Sequence, residues 1–260
     1  MLSLPLSQLG ATDLKKIRLV ATDMDGTLTS GGKFTPALLQ ALTALATVGV
    51  KVIIITGRSA GWVSGLVNYL PIQGAVAENG GLFYPQGRET PVALTPIADL
   101  STHRQNLADS FKYLQLQFPK IRESADNHFR ITDWTFDVEG LLAEELLSLE
   151  NLCYSLGWGF TYSNVQCHIK PQPQDKAIGL LQVLGEYFPK YKPAEVVTVG
   201  DSPNDESLFQ SSYFPVSVGV NNVLHYTKNL KHQPAYITTA SEGEGFCELV
   251  EMILKANTNE

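Results

Sequence analysis

Two short apolar segments, at residues 17–23 and 50–55, constrain the fold more than any other feature of the sequence. Both are rich in branched side chains and lack polar alternation, which is typical of parallel strands covered on both faces. Between them, Thr35 can cap and Pro36 can begin a helix whose end Gly49 marks. This order of elements predicts a βαβ unit.

The parallel pattern is interrupted once. A helix near residues 59–70 and a short strand extend the βαβ unit, and helices and strands alternate again from Asp175 onward. The intervening sequence predicts an antiparallel hairpin from Asn79, helices at 99–118 and 138–156, and strands at 129–136 and 160–169. We therefore expect an α/β protein with a Rossmann-like parallel-sheet core, residues 1–82 and 173–260, and an inserted α+β domain, residues 83–172.

Composition excludes several classes of partner. A net charge of −7 and a pI near 5.3 argue against nucleic-acid binding, and no apolar run approaches the ~20 residues of a membrane span. The first 16 residues lack the positive region of a secretory signal, and we expect them to form a tail. The spacing of Cys153, Cys167 and Cys247 fits neither a zinc site nor a redox pair, so we expect a protein of the reducing cytoplasm. The sequence leaves the oligomeric state open.

The polar residues that follow the predicted strands point to one site. The first strand ends in Asp23-Met24-Asp25-Gly26-Thr27, and the second strand ends in Thr56-Gly57-Arg58. A later strand ends in Gly200-Asp201-Ser202-Pro203-Asn204-Asp205, and Lys176 begins the helix after the insert. Ligands of an open parallel sheet bind beyond the carboxyl ends of its strands. Four carboxylates, a lysine and a hydroxyl at that edge suit a hard cation and a phosphate.

These motifs, in this order, resemble those of the haloacid dehalogenase superfamily, and the resemblance covers nearly the whole chain. An insert between the second motif and the lysine is the position of the large α/β cap in the Cof-like, sugar-phosphatase branch (subfamily IIB). A single Asp-Gly pair usually only shapes a turn, but that alternative does not explain the other three motifs.

The resemblance implies a role for each core residue. Asp23 fits the nucleophile that forms an aspartyl-phosphate, and Asp25 fits the general acid that then serves as base. Thr56 and the amide of Gly57 match phosphate-oxygen donors, and Lys176 matches the cation that neutralises the nucleophile and the transferring group. Two further residues have open roles: Arg58 fits a phosphate or substrate ligand as well as a partner of a carboxylate, and Asn204 fits a phosphate contact, a partner of Lys176 or a helix start.

The same resemblance implies Mg²⁺. Crowded carboxylates need a cation, and ligands that are all oxygens favour magnesium over zinc or copper. The implied ligands are a carboxylate oxygen of Asp23, the backbone carbonyl of Asp25, and Asp201, with Asp205 bound directly or through water.

The cap supplies the weaker expectations. Asn164, Gln166, His168 and Lys170 alternate with apolar residues, which predicts a strand with one polar face that contacts either substrate hydroxyls or solvent. We expect a Mg²⁺-dependent phosphatase of a small phosphorylated metabolite, a sugar phosphate or glycosyl phosphate. The alternatives are a phosphomutase, which needs a second cationic phosphate site for which Arg122, Arg130 and Lys170 are candidates, and a non-catalytic metabolite-binding module.

Overall fold

The computed structural model describes residues 3–88 and 90–258. In that part of the chain the strands are β1 Leu4–Pro5, β2 Leu19–Thr22, β3 Lys51–Ile55, β4 Gly74–Ala77, β5 Leu82–Pro85, β6 Val92–Ala93, β7 Trp134–Asp137, β8 Trp158–Tyr162, β9 Gln166–Pro171, β10 Val196–Gly200, β11 Val216–Gly219 and β12 Tyr236–Ile237. The α-helices are α1 Ala11–Leu14, α2 Pro36–Thr47, α3 Ala60–Tyr69, α4 Leu100–Gln117, α5 Ala143–Ser155, α6 Lys176–Tyr187 and α7 Glu242–Thr258.

The large sheet has the order β1-β12-β11-β10-β2-β3-β4-β5-β6, with parallel pairing from β1 to β4. Its central strands are buried on both faces: Val20 and Ile54 pack on one side, Ala21 and Ile53 on the other. This double burial explains the absence of polar alternation in these segments. The predicted α/β fold with a parallel-sheet core is confirmed.

The hairpin after β4 belongs to this sheet. Strand β5 pairs antiparallel with β4, and β6 pairs antiparallel with β5. Our expected boundary assigned residues 83–93 to the insert, but these strands complete the hydrogen bonding of the large sheet, with Phe83 and Leu94 buried in its core. We propose that the insert begins after residue 95.

The inserted domain, hereafter the cap, contains a three-stranded antiparallel sheet of order β7-β9-β8, against which α4 and α5 pack. The expected single strand at 160–169 is wrong, because Ser163 Oγ accepts hydrogen bonds from the amides of Val165 and Gln166 and turns the chain between β8 and β9. The expected strand at 129–136 begins only at Trp134, after a 3₁₀ turn at Asn127–Phe129.

The N-terminal segment is part of the core rather than the tail we expected. Strand β1 pairs with β12 at the sheet edge, and Leu6, Leu9 and Leu14 are buried in the hydrophobic core. Burial of these leucines holds the segment in place. Among the described helices, none combines the length and the apolar character that crossing a membrane requires.

Candidate active site

Three buried carboxylates converge at the carboxyl edge of the large sheet. Asp23 follows β2, Asp201 follows β10, and Asp205 lies on the 3₁₀ helix Pro203–Phe209. One oxygen from each lies within 4.8 Å of the others. Burial, and then the charge of Asp205, raises the pKa of Asp23 to about 7, although Lys176 opposes the shift. Burial and the charge of Asp23 likewise raise the pKa of Asp201. The cluster therefore holds more negative charge than its surroundings stabilise.

Lys176 is the cation at the centre of this cluster. It is the first residue of α6, whose N-terminus Asp175 caps by accepting a hydrogen bond from the amide of Ile178. Its Nζ lies 2.5 Å from Asp23 Oδ1 and 2.6 Å from Asp205 Oδ1. Burial lowers the pKa of Lys176, but the two carboxylates outweigh burial and raise it. One ammonium cannot balance three carboxylates, and a set of oxygen donors with excess charge fits Mg²⁺.

The candidate metal ligands are held by hydrogen bonds. Thr27 Oγ1 donates to one oxygen of Asp201 (3.0 Å) and Asn222 Nδ2 donates to the other (2.9 Å). Both oxygens of Asp205 already accept, from Lys176 and from the amides of Asp201 and Ser202. Asp201 accepts two hydrogen bonds and Asp205 accepts three, so Asp201 has more lone pairs left for a metal and Asp205 suits a bond through water.

The glycine of the first motif is required by the fit of the two loops. Gly26 has a φ of +83°, and a Cβ there would lie 2.7 Å from Asp201 Oδ2 and 3.1 Å from Asn164 Nδ2. Any side chain at this position would therefore displace a candidate metal ligand. The second of these contacts also places Asn164, an exposed residue of the cap, beside the first motif.

Asp25 and Arg58 form an ion pair beside the carboxylate cluster. Arg58 donates from Nε to Asp25 Oδ2 (2.8 Å) and from Nη2 to Asp25 Oδ1 (2.6 Å). The hydrogen bond to Asp25 raises the pKa of Arg58, whose guanidinium also lies 5.2 Å from the ring centre of Trp62. Of the two interpretations of Arg58, the carboxylate partner is the one that this structure contains.

A small cavity joins the predicted catalytic and phosphate-binding residues. It is lined by residues of the cap and by Asp23, Asp25, Thr56, Gly57 and Arg58. The centre of a water molecule can move within about 10 Å³ of it, so the cavity has room for about one water. Thr56 Oγ1 accepts a hydrogen bond from the amide of Arg58 at 3.1 Å. The cap therefore lies close over the site in this structure.

In the part of the chain that the structure describes, the side-chain amide of Asn204 hydrogen-bonds to neither Lys176 nor a carboxylate. Its Nδ2 donates to Asn79 Oδ1 (3.0 Å), and its Oδ1 accepts from Ser202 Oγ (2.8 Å). The residue that holds Lys176 is instead Asp205, one position further along. Asn79, which follows β4, was absent from our predicted site.

The polar face of β9 is turned toward the core domain. Gln166, His168 and Lys170 are all at least nine-tenths buried, so the solvent-exposed alternative is wrong for them. His168 lies against the phosphate-binding loop, because a Cβ on Gly57 would be 3.0 Å from its ring. Its Nδ1 lies 2.8 Å from Asp133 Oδ2. Burial lowers the pKa of His168.

Arg130 links this face of the cap to the core domain. Its Nη1 donates to Gly57 O (2.9 Å) and to Asp133, and its Nη2 donates to Asp126 and Gln166. Arg122, in contrast, is exposed and donates to the nearby carbonyls of Pro119 and Ile121. The structure therefore does not bring Arg122, Arg130 and Lys170 together as a second phosphate site.

A buried carboxylate holds the cap to the core. Glu78 accepts hydrogen bonds from the amides of Ala60, Ile131 and Thr132 and from Thr132 Oγ1. Burial raises the pKa of Glu78. The sequence signal for Glu78 was weak, since a glutamate at a strand end is common. Asn79 and Asn222 both follow core strands, so they could have been found by the rule that ligands bind beyond the carboxyl ends of parallel strands.

Comparison with known proteins agrees with this geometry. Residues 20–99 match the family model of haloacid dehalogenase-like hydrolases. The chain is 33% identical over 249 residues to phosphoglycolate phosphatase 1 of Saccharolobus solfataricus, covering 92% of this chain and 96% of that protein. It is 28% identical to a phosphoglycolate phosphatase of Staphylothermus marinus, with 92% and 98% covered.

Solved structures share the fold over nine-tenths of the chain or more. A Thermoplasma acidophilum protein superimposes with a TM-score of 0.74 at 22% identity, covering 91% of this chain and 98% of that one. The C-terminal domain of C. albicans trehalose-6-phosphate phosphatase gives 0.73 at 16% identity, with 98% of each covered. The chain belongs to the haloacid dehalogenase-like hydrolases, and it is a phosphatase of that family.

Proposed function

We propose that this protein is a Mg²⁺-dependent phosphatase that hydrolyses a small phosphorylated acid of the 2-phosphoglycolate type through an aspartyl-phosphate. The observation that carries the proposal is the buried Asp23 carboxylate, 2.5 Å from Lys176 and beside Asp25, at the edge where Thr56 and Gly57 lie. Curated relatives that align over nine-tenths of the chain are phosphoglycolate phosphatases, which supports the substrate class.

In the first step, an oxygen of Asp23 attacks phosphorus, and the bond from phosphorus to the leaving oxygen breaks as the new bond forms. Asp25 gives a proton to the leaving oxygen. Thr56 and the amide of Gly57 donate to the phosphoryl oxygens, and Lys176 neutralises charge on them and on Asp23. In the second step, water attacks the aspartyl-phosphate, Asp25 takes its proton, and Asp23 is regenerated with release of phosphate.

Asp23, Asp201 and the backbone carbonyl of Asp25 would hold Mg²⁺, with Asp205 bound through water. When bound, the metal supplies positive charge to the phosphoryl oxygens. Arg58 holds both oxygens of Asp25 and so orients the carboxyl group that exchanges the proton in both steps.

A sugar phosphate is the second candidate substrate. A cavity of about 710 Å³ lies between the cap and the core domain, lined by Tyr154, Phe160 and Tyr162 and reaching Lys176 and Asn204. Aromatic walls together with a few polar groups suit a sugar ring. The proposal also places the enzyme in the cytoplasm, in keeping with three free thiols.

The test is a comparison of specificity constants. Purified protein with MgCl₂ is assayed for phosphate release from 2-phosphoglycolate, glucose 6-phosphate, trehalose 6-phosphate and p-nitrophenyl phosphate, with Asp23→Asn as the matched control. We expect the highest kcat/KM for 2-phosphoglycolate and no turnover by the variant. A sugar phosphate ranked first would favour the second candidate. Activity that appears only with a bisphosphate activator, and isomerises the substrate, would instead indicate a phosphomutase.

A further inference from the structure

Two buried polar groups beside the site have no role in the mechanism above. They are the amide of Asn79, on the core domain, and the ammonium of Lys170, on β9 of the cap. Both residues line the 710 Å³ cavity, which Lys176 and Asn204 also line. The two groups therefore belong to one cavity and to opposite domains.

Asn79 presents a hydrogen-bond donor that has no acceptor. The residue is 1% exposed and has a left-handed backbone, with a φ of +52°. Its Oδ1 accepts from Asn204, but its Nδ2 donates to no group in the described part of the chain. A Cβ on Gly57 would lie 3.2 Å from this Nδ2, which places the unpaired donor next to the phosphate-binding loop. Buried donors are nearly always paired, so an unpaired one at a site indicates a missing acceptor.

Lys170 presents a buried cation without a carboxylate partner. The residue is 6% exposed, and its Nζ donates to the carbonyl of Gln174. Within residues 3–88 and 90–258, no carboxylate lies within 4.0 Å of it, whereas Arg58 has one carboxylate partner and Arg130 and Lys176 have two each. Asp175 and Asp133 attract it only from further away, and burial lowers the pKa of Lys170. A buried charge without a counter-ion favours an anionic ligand.

We propose that Asn79 Nδ2 and Lys170 Nζ form an anion subsite that binds the carboxylate of the leaving group. The proposal rests on the proposed function, because the leaving group of a phosphorylated hydroxy acid carries such a carboxylate. An ammonium and an amide donor together satisfy a carboxylate, and they place the second anionic group of the substrate away from Asp23. The subsite selects phosphorylated acids over neutral phosphate esters of the same size.

The experiment compares two substrates that differ only in this group: 2-phosphoglycolate and 2-hydroxyethyl phosphate. Lys170→Met keeps the length of the side chain and removes its charge. Asn79→Asp keeps the acceptor for Asn204 and replaces the unpaired donor with an oxygen. We expect Lys170→Met to lower kcat/KM for 2-phosphoglycolate by about 10- to 100-fold and for 2-hydroxyethyl phosphate by less than about threefold. Asn79→Asp also adds a negative charge beside the phosphate-binding loop, so it should lower kcat/KM for both esters, and for 2-phosphoglycolate by the larger factor. Lys112→Met, an exposed cap lysine with 68% side-chain exposure, is the matched control.

Equal losses on the two substrates, or no loss on either, would overturn the subsite. A readout without turnover separates this inference from the proposed function. Glycolate, which carries the carboxylate but no phosphate, should raise the unfolding temperature of the wild type and of Lys112→Met, but not that of Lys170→Met. If the wild type hydrolyses neither ester, the proposed function fails, and the glycolate shift still decides the subsite: the same shift in Lys170→Met as in the wild type refutes it.

Discussion

Replacing the nucleophile, Asp23→Asn, should abolish turnover and at the same time stabilise the metal-free protein at alkaline pH. The carboxylate is buried and lies within 4.8 Å of two others, and its pKa is raised from 3.8 to about 7. An asparagine is nearly isosteric, accepts a hydrogen bond from Lys176 and carries no charge. The variant therefore keeps the shape of the site and loses the electrostatic cost of ionising Asp23 inside it.

The sign and size follow from proton linkage. The unfolded chain loses the Asp23 proton near pH 4, whereas the folded protein holds it until about pH 7. Stability therefore falls as pH rises between these values and is level above them. Raising the pKa of Asp23 from 3.8 to about 7 corresponds to roughly 4 kcal/mol. The stability advantage of Asp23→Asn over the wild type should grow from about 2 kcal/mol at pH 5 to about 4 kcal/mol at pH 8.

The measurement is urea unfolding in EDTA at pH 5 and pH 8, followed by tryptophan fluorescence, to which Trp62 on α3 contributes from the core domain. Mg²⁺ should then stabilise the wild type more than the variant, because the metal favours the ionised nucleophile. Asp13→Asn, an exposed surface position, is the control and should show neither effect. If Asp23→Asn is no more stable than the wild type at pH 8, or if the difference does not change with pH, the burial argument is wrong.

Three further changes test other parts of the site. Asp201→Ala should raise the Mg²⁺ concentration for half-maximal activity by about tenfold or more, and an unchanged Mg²⁺ titration would exclude it as a ligand. Arg58→Ala should lower kcat about 10- to 100-fold on every substrate, because Asp25 loses two hydrogen bonds. Arg58→Lys should restore little of this activity, since one ammonium does not span both oxygens of Asp25. Full activity in Arg58→Lys would refute the positioning of Asp25 by two hydrogen bonds. Glu78→Gln turns an NH₂ group toward backbone donors, so it should lower the free energy of unfolding by about 2–3 kcal/mol and increase proteolysis near Thr132. Unchanged proteolysis would contradict the role of Glu78 in holding the cap.

The core of the site could be predicted because it depends on local signals and one topological rule. Apolar runs identified β2, β3 and β10, and parallel strands bring their carboxyl ends to one edge. Asp23, Thr56 and Asp201 could therefore be expected near one another without any knowledge of side-chain contacts. The pairing of Arg58 with Asp25 needed the actual distances, since the same guanidinium fits a phosphate equally well.

The orientation of the cap could not be predicted in this way. A period of two places Gln166, His168 and Lys170 on one face of β9, but it does not specify whether that face contacts water or the core. The answer depends on contacts far apart in sequence, such as Arg130 with the carbonyl of Gly57 and Glu78 with the backbone at Thr132. The pairing of β5 and β6 with the large sheet could not be predicted for a related reason, because an antiparallel hairpin gives the same local signal in either domain.

The turn at Glu78 and Asn79 connects these parts of the molecule. Both residues have left-handed backbones, and their amides donate to the carbonyls of Arg58 and Thr56 in the phosphate-binding loop. The side chain of Glu78 holds the cap, and that of Asn79 reaches the site. Any opening of the cap would break the bonds of Glu78 to Ile131 and Thr132 and would carry Lys170 away from Asn79. We therefore propose that cap closure and assembly of the anion subsite are one event. Glu78→Gln should consequently reduce kcat/KM for 2-phosphoglycolate more than for 2-hydroxyethyl phosphate, and an equal effect on both would show that cap closure and leaving-group recognition are independent.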